Sequence, residues 1–93
     1  MGQLIQVARQ HGYLVYHTHD ARRSAPGFPD LCLVSAIPGP GRCFLWEVKT
    51  RTGKLSMDQF TWLSGLDGKT IDARVVRPSD FADLAALLQK GNG

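Results

Sequence analysis

The chain has 93 residues, 43% of them hydrophobic and 20% charged, with a formal net charge of +3. That is enough for one domain over residues 1–93 with a small core, and too apolar for a disordered acidic or basic tail. It contains no apolar run of membrane-spanning length and no basic-then-apolar leader, so a cytoplasmic setting is the expectation, and the mild excess of base is compatible with a polyanionic partner without requiring one.

Residues 3 to 11 carry Leu4, Ile5, Val7 and Ala8 at helical spacing, and Gly12 follows where a helix would stop. Tyr13 to Thr18 is rich in β-branched and aromatic side chains and reads as a strand. His17 and His19 alternate about Thr18; such a pair can ligate a transition metal, but at a strand end it more simply lines a polar rim, with His17 free to contact a phosphate or shape a cleft. The loop Asp20 to Gly27 contains Arg22, Arg23 and Ser24, either a solvated stretch or a clamp whose guanidinium forks grip phosphate. Gly27 and Pro29 fix the approach of the backbone to Asp30.

Strands follow over residues 30 to 36 and 43 to 50, joined by the turn formers of Ile37 to Arg42. Their near-continuous hydrophobicity marks them as central strands covered on both faces. Cys32 and Cys43 lie on these two strands, where a disulfide is one reading and a pair of reduced thiols the other. Charge stands out against this background. Glu47 and Lys49, two apart on a strand, share a face, and Asp30 joins them only if it pairs with an odd-numbered partner, Glu47 or Lys49; a slip to Val48 turns it away. Arg51 to Lys54 is a basic turn at the end of the second strand, exposed or within reach of a phosphate backbone.

Ser56-Met57-Asp58-Gln59 has the spacing of a capping box, which predicts a helix with Phe60, Leu63 and Leu66 toward the core and Trp62 flanking. A fourth strand over Ile71 to Val76 ends at Arg77-Pro78. Ser79 then reads as an N-cap, with Asp80 at the helix start and Phe81, Leu84, Ala85 and Leu88 forming one buried stripe.

Two carboxylates and a lysine meeting on a half-buried sheet surface are costly without compensation. A plain salt bridge from Lys49 to Asp30 or Glu47 is one solution. A hard divalent cation such as Mg²⁺, held by carboxylate oxygens beside a substrate phosphate, is the other, with Lys49 directed at a phosphate oxygen or an attacking water.

Pro29-Asp30 and Glu47-Val48-Lys49 resemble the motif of the PD-(D/E)xK nuclease superfamily. The fuller set, Tyr16-His17-Thr18, Gly27-Phe28-Pro29-Asp30-Leu31, Trp46-Glu47-Val48-Lys49-Thr50, Gly53-Lys54-Leu55-Ser56, Gln59 and Arg77-Pro78-Ser79-Asp80, resembles the virus-type replication-repair nuclease domain, VRR-NUC, over nearly the whole chain. The resemblance implies an α/β, restriction-endonuclease-like fold of order αβββαβα, with a central mixed four-stranded sheet flanked by helices. It implies a metal-dependent DNA endonuclease in which Asp30, Glu47 and the Val48 carbonyl hold Mg²⁺ or Mn²⁺ and Lys49 serves the attacking water. Arg22, Arg23, Ser24, Arg51, Lys54 and Arg77 become the expected DNA contacts. Stand-alone domains of this kind are similar to junction-resolving enzymes, which implies branched DNA as substrate and a homodimer, with Trp62 or the last helix as the first surfaces to consider. The resemblance also brings Gln59 to the metal site; one side chain is not expected to serve fully as both helix cap and site residue, and the site role is the expected one. In one respect the chain departs from the family: relatives carry an acidic residue on the first helix, and here no Asp or Glu precedes Asp20. A non-catalytic nucleic-acid-binding module that keeps the fold is the alternative that this departure raises.

Overall fold

A glycine stop sets the first turn of the molecule. In the computed structural model, which describes residues 2–18, 25–36, 43–67 and 70–92, helix α1 (Gly2–Gln10) buries Leu4 and Ala8 and ends at Gly12, whose φ of +83° suits a residue without a Cβ. The chain turns directly into β1 (Tyr13–His17) and continues through β2 (Leu31–Ser35), β3 (Cys43–Val48), α2 (Met57–Leu66) and β4 (Asp72–Val76) to a 3₁₀ turn (Pro78–Asp80) and α3 (Phe81–Asn92). The order α-β-β-β-α-β-α is the one the sequence predicts. The sheet runs β1-β2-β3-β4, antiparallel except for the β3–β4 pair, which is parallel because α2 carries the chain back across the sheet.

One face of the sheet holds the core. Tyr13, Leu31, Leu33, Phe44, Trp46 and Val76 pack beneath Leu4, Ala8, Leu84 and Leu88 from α1 and α3. The aromatic rings touch in sequence: Tyr13 meets Phe44 edge-on at 5.7 Å, and Phe44 meets Trp46 at 4.9 Å. The Tyr13 hydroxyl donates to the Leu88 carbonyl at 3.0 Å, satisfying the polar end of a buried ring and tying β1 to α3.

The other face is only partly covered. Helix α2 lies over the β3–β4 side, and β3 is buried on both faces from Phe44 to Glu47. Toward β1 and β2 the cover stops: Leu14, Tyr16 and Val34 are exposed. The expectation that both central strands are covered on both faces therefore applies to β3 and not to β2. Helix α2 itself buries no residue: Leu63 and Leu66 are half-buried, and Phe60, expected in the core, is exposed. The last helix also starts differently from its predicted N-cap at Ser79: a 3₁₀ turn beginning at Pro78 precedes it, and the Asp80 carboxylate reaches back to accept the Arg77 N–H at 2.9 Å. Cys32 and Cys43 are free, half-buried thiols placed diagonally on the partly covered face; burial and the neighbouring thiol push the Cys32 pKa up. No described helix is long and apolar enough to cross a membrane.

Candidate nuclease site

The β2–β3 register decides whether the charged residues meet. Leu31 lies opposite Trp46 and Cys32 opposite Leu45, so continuing the ladder by one residue sets Asp30 opposite Glu47, the odd-numbered partner that convergence requires. The Asp30 carboxylate then reaches across to β3, where Oδ1 accepts the Val48 N–H at 3.1 Å. On its other side the Asp30 carbonyl accepts the Thr18 N–H at 3.0 Å, so the residue that opens β2 is held by both neighbouring strands.

Glu47 is the one described charged side chain buried in the molecule. Its Oε1 accepts from the Gln59 side-chain amide at 2.9 Å and lies 3.8 Å from the Lys49 ammonium, while Oε2 is buried with no hydrogen-bond partner. Burial, reinforced by repulsion from Asp30, pushes the Glu47 pKa up to about 7; Lys49 pulls it back in part. Burial likewise raises the Asp30 pKa, against the opposing pull of the Val48 N–H, Lys49 and His17. A carboxylate oxygen left without a donor beside a second, like-charged carboxylate is a stable arrangement only when a proton or a cation joins it. The donor set is all oxygen, which fits a hard divalent ion rather than a soft one. Among the described residues there is no cluster of three or more His, Cys, Asp or Glu side chains, and α1 contributes no acidic group to the site.

Helix α2 delivers Gln59. Ser56 caps the helix through its hydroxyl, which accepts the Gln59 N–H at 3.1 Å, and the Gln59 side-chain carbonyl accepts the Ser56 N–H at 2.8 Å. Gln59 therefore meets the capping role in full and also touches a carboxylate of the site. The amide has two ends, and here its oxygen closes the capping box while its nitrogen donates to Glu47.

Other expected residues fall in different places. Lys49 extends β3 by one hydrogen bond, its N–H donating to the Val76 carbonyl at 2.8 Å. Arg51 and Lys54 are exposed on the following turn. Arg77 lies behind that turn, where Nη1 donates to the carbonyls of Thr50 at 2.7 Å and Gly53 at 2.8 Å. His17 sits opposite Leu31, on the helix-covered face. Arg22, Arg23, Ser24 and His19, and the turn at residues 37–42, lie outside the described residues.

A cleft of about 210 Å³ opens beside the carboxylates, lined by Thr18, Ala25, Pro26, Gly27, Phe28, Asp30, Glu47 and Gln59. Its lip is fastened to α2. The Trp62 indole N–H donates to the Pro26 carbonyl at 3.1 Å, the Phe28 and Trp62 rings meet edge-on at 5.0 Å, and Gly27 has a φ of +82° and runs so close to α2 that a Cβ there would lie 2.3 Å from the Asp58 carbonyl carbon. Sequence reasoning had no role for this apolar lip beyond Gly27; the usable signal is an aromatic residue immediately before Pro29-Asp30.

The VRR-NUC domain family model matches residues 3–80 of the chain. No curated protein and no solved structure matches it.

Proposed function

Because the chain belongs to the VRR-NUC family and so carries a nuclease-type domain, we propose that it is a metal-dependent endonuclease that hydrolyses DNA phosphodiester bonds. The observation that carries this reading is the buried, donorless Oε2 of Glu47 on the strand position opposite Asp30, with the Lys49 ammonium beside the same carboxylate. Asp30, Glu47 and the Val48 carbonyl would hold Mg²⁺ or Mn²⁺. Such an ion, when bound, supplies charge neutralisation at the phosphate and a more acidic water.

The chain's own groups do the rest. Gln59, braced by the helix cap, fixes the rotamer of Glu47. The Val48 N–H fixes Asp30. Lys49 orients the attacking water or stabilises charge on the phosphate as it becomes five-coordinate. Arg51 and Lys54, exposed on the turn after β3, contact the DNA backbone, and Arg22, Arg23 and Ser24, from the loop before Gly27, add to that contact. Arg77 acts through the Thr50–Gly53 turn it supports. Paired cuts in branched DNA by a homodimer of this single domain, in the cytoplasm, complete the proposal.

The alternative, a binding module without turnover, is favoured by one observation: α1 brings no carboxylate to the site. A panel of linear, flap and four-way DNA substrates with Mn²⁺ or Mg²⁺ separates the two. The endonuclease reading expects cleavage by the native chain and none by Lys49→Ala at unchanged thermal stability. Retained turnover in Lys49→Ala removes Lys49 from the mechanism, and binding without cleavage by the native chain favours the alternative.

A further inference from the structure

We infer that Phe28 is a base-stacking residue, so that the strand entering the cleft does so with a base out of the duplex stack. The inference rests on the nuclease reading for where the phosphate sits and adds to it the state of the nucleic acid at the cut. Its starting point is the mismatch between the two walls of one cleft. One wall is Asp30, Glu47 and Gln59. The facing lip is Ala25, Pro26, Gly27 and Phe28, four consecutive residues with no charged or hydrogen-bonding side chain. An uncharged lip ending in an aromatic ring suits the flat face of a nucleobase, which lies one sugar away from the phosphate.

Phe28 is built to stay where it is. The residue is 37% exposed, yet it is not loose: Trp62 braces its ring edge-on, and both preceding residues are fixed to α2, Pro26 by the Trp62 indole and Gly27 by close backbone approach to Asp58. An aromatic ring rigidly presented at the edge of a polar cleft loses little conformational entropy when a second ring stacks on it. Phenylalanine has no polar end, so this contact reads no base edge and is tolerant of sequence.

The same sheet face carries a second exposed ring. Tyr16 pairs with Cys32, two residues from Asp30 on the same face, and is two residues before Thr18, which lines the cleft. It offers a platform for the next base along the strand. Bases inside a duplex have their faces covered by their neighbours, so neither ring can be used by intact double helix. The substrate class this favours is a single-stranded segment, or the point in a branched molecule where a strand leaves its partner.

The test is a pairing of protein and substrate changes. Binding of a short fluorescein-labelled oligothymidylate, and of the same oligomer with abasic sugars, is measured by anisotropy without divalent ions for the native chain, Phe28→Leu and Phe28→Trp. The native chain and Phe28→Trp are expected to lose about tenfold in affinity on removal of the bases, and Phe28→Leu to lose clearly less, keeping only the part that Tyr16 supplies. Mn²⁺ binding, followed by calorimetry, involves the carboxylates and no stacked ring, and it is measured in all three; the Phe28 substitutions are expected to leave it intact. Equal sensitivity to base removal in Phe28→Leu overturns the stacking role. Loss of Mn²⁺ binding in Phe28→Leu also overturns it, since the ring then serves to shape the carboxylates. A native chain that cleaves no DNA with Mn²⁺ refutes the nuclease reading instead, and the anisotropy comparison still decides the stacking.

Discussion

The Gln59 amide nitrogen donates to Glu47 Oε1 at 2.9 Å while its oxygen accepts the Ser56 N–H at 2.8 Å, so one side chain joins the start of α2 to the buried carboxylate of β3. The two ends can be separated by substitution. Gln59→Glu keeps an acceptor for Ser56 but replaces the donor to Glu47 with a further negative charge. Its helix cap should survive, while DNA cleavage falls at least tenfold. Gln59→Ala removes both contacts and should cost about 1 kcal/mol of stability as well. Denaturant midpoints at about pH 5, where Glu47 keeps its proton, and cleavage rates on the two variants check this; unchanged cleavage in Gln59→Glu would mean that the donor to Glu47 is dispensable.

Stability should fall as pH rises through the neutral range. Glu47 has its pKa raised from an ordinary 4.5 to about 7, so between these values the folded chain keeps a proton that the unfolded chain has released. Folding is therefore favoured below about pH 4.5 relative to above about pH 7, and the Asp30 shift has the same sign. The Glu47 contribution is at most about 3 kcal/mol. Urea midpoints in EDTA at about pH 5 and about pH 8 measure it. Glu47→Gln should flatten the difference, and Mn²⁺ added at the higher pH should return the lost stability to the native chain.

Arg77 is expected to behave as a support for the turn and not as a DNA contact. Its Nη1 is engaged by the Thr50 and Gly53 carbonyls, and Thr50 follows Lys49 directly. Arg77→Ala should destabilise the chain by about 1–3 kcal/mol and lower the cleavage rate, while the dependence of DNA affinity on salt stays the same. A phosphate contact would instead reduce that salt slope by about one.

Gly27→Ala tests the lip. The residue has a φ of +82°, and its new methyl would lie 2.3 Å from the Asp58 carbonyl carbon. Strain of this kind costs about 1–3 kcal/mol before the clash is counted. The variant should melt lower and bind unpaired DNA more weakly, because Phe28 is displaced with the lip.

What could be read from the sequence follows from how local each feature is. The strand register could be stated from the sequence only as a condition, since Asp30 shares a face with Glu47 and Lys49 only from an odd-numbered partner; the β2–β3 ladder, continued by one residue, meets that condition at Glu47. The capping box at Ser56 and Gln59 is a four-residue signal and appears as predicted. The double use of Gln59 was missed because it depends on how closely α2 approaches β3, a tertiary distance. The exposure of Phe60 was missed for a related reason: helical periodicity says which residues share a face but not how wide a contact the sheet provides. The role of Trp62 needed the fold too, since its partner Pro26 is 36 residues away.

The most direct test of the account is a calorimetric titration of Mn²⁺ into the native chain and into Glu47→Gln at about pH 8, where Glu47 is ionised in the native chain. The account predicts saturable binding by the native chain and at least a tenfold weaker affinity in Glu47→Gln at comparable fold stability. Equal affinity in the two, or no saturable binding by the native chain, would contradict the claim that Asp30 and Glu47 form a cation site.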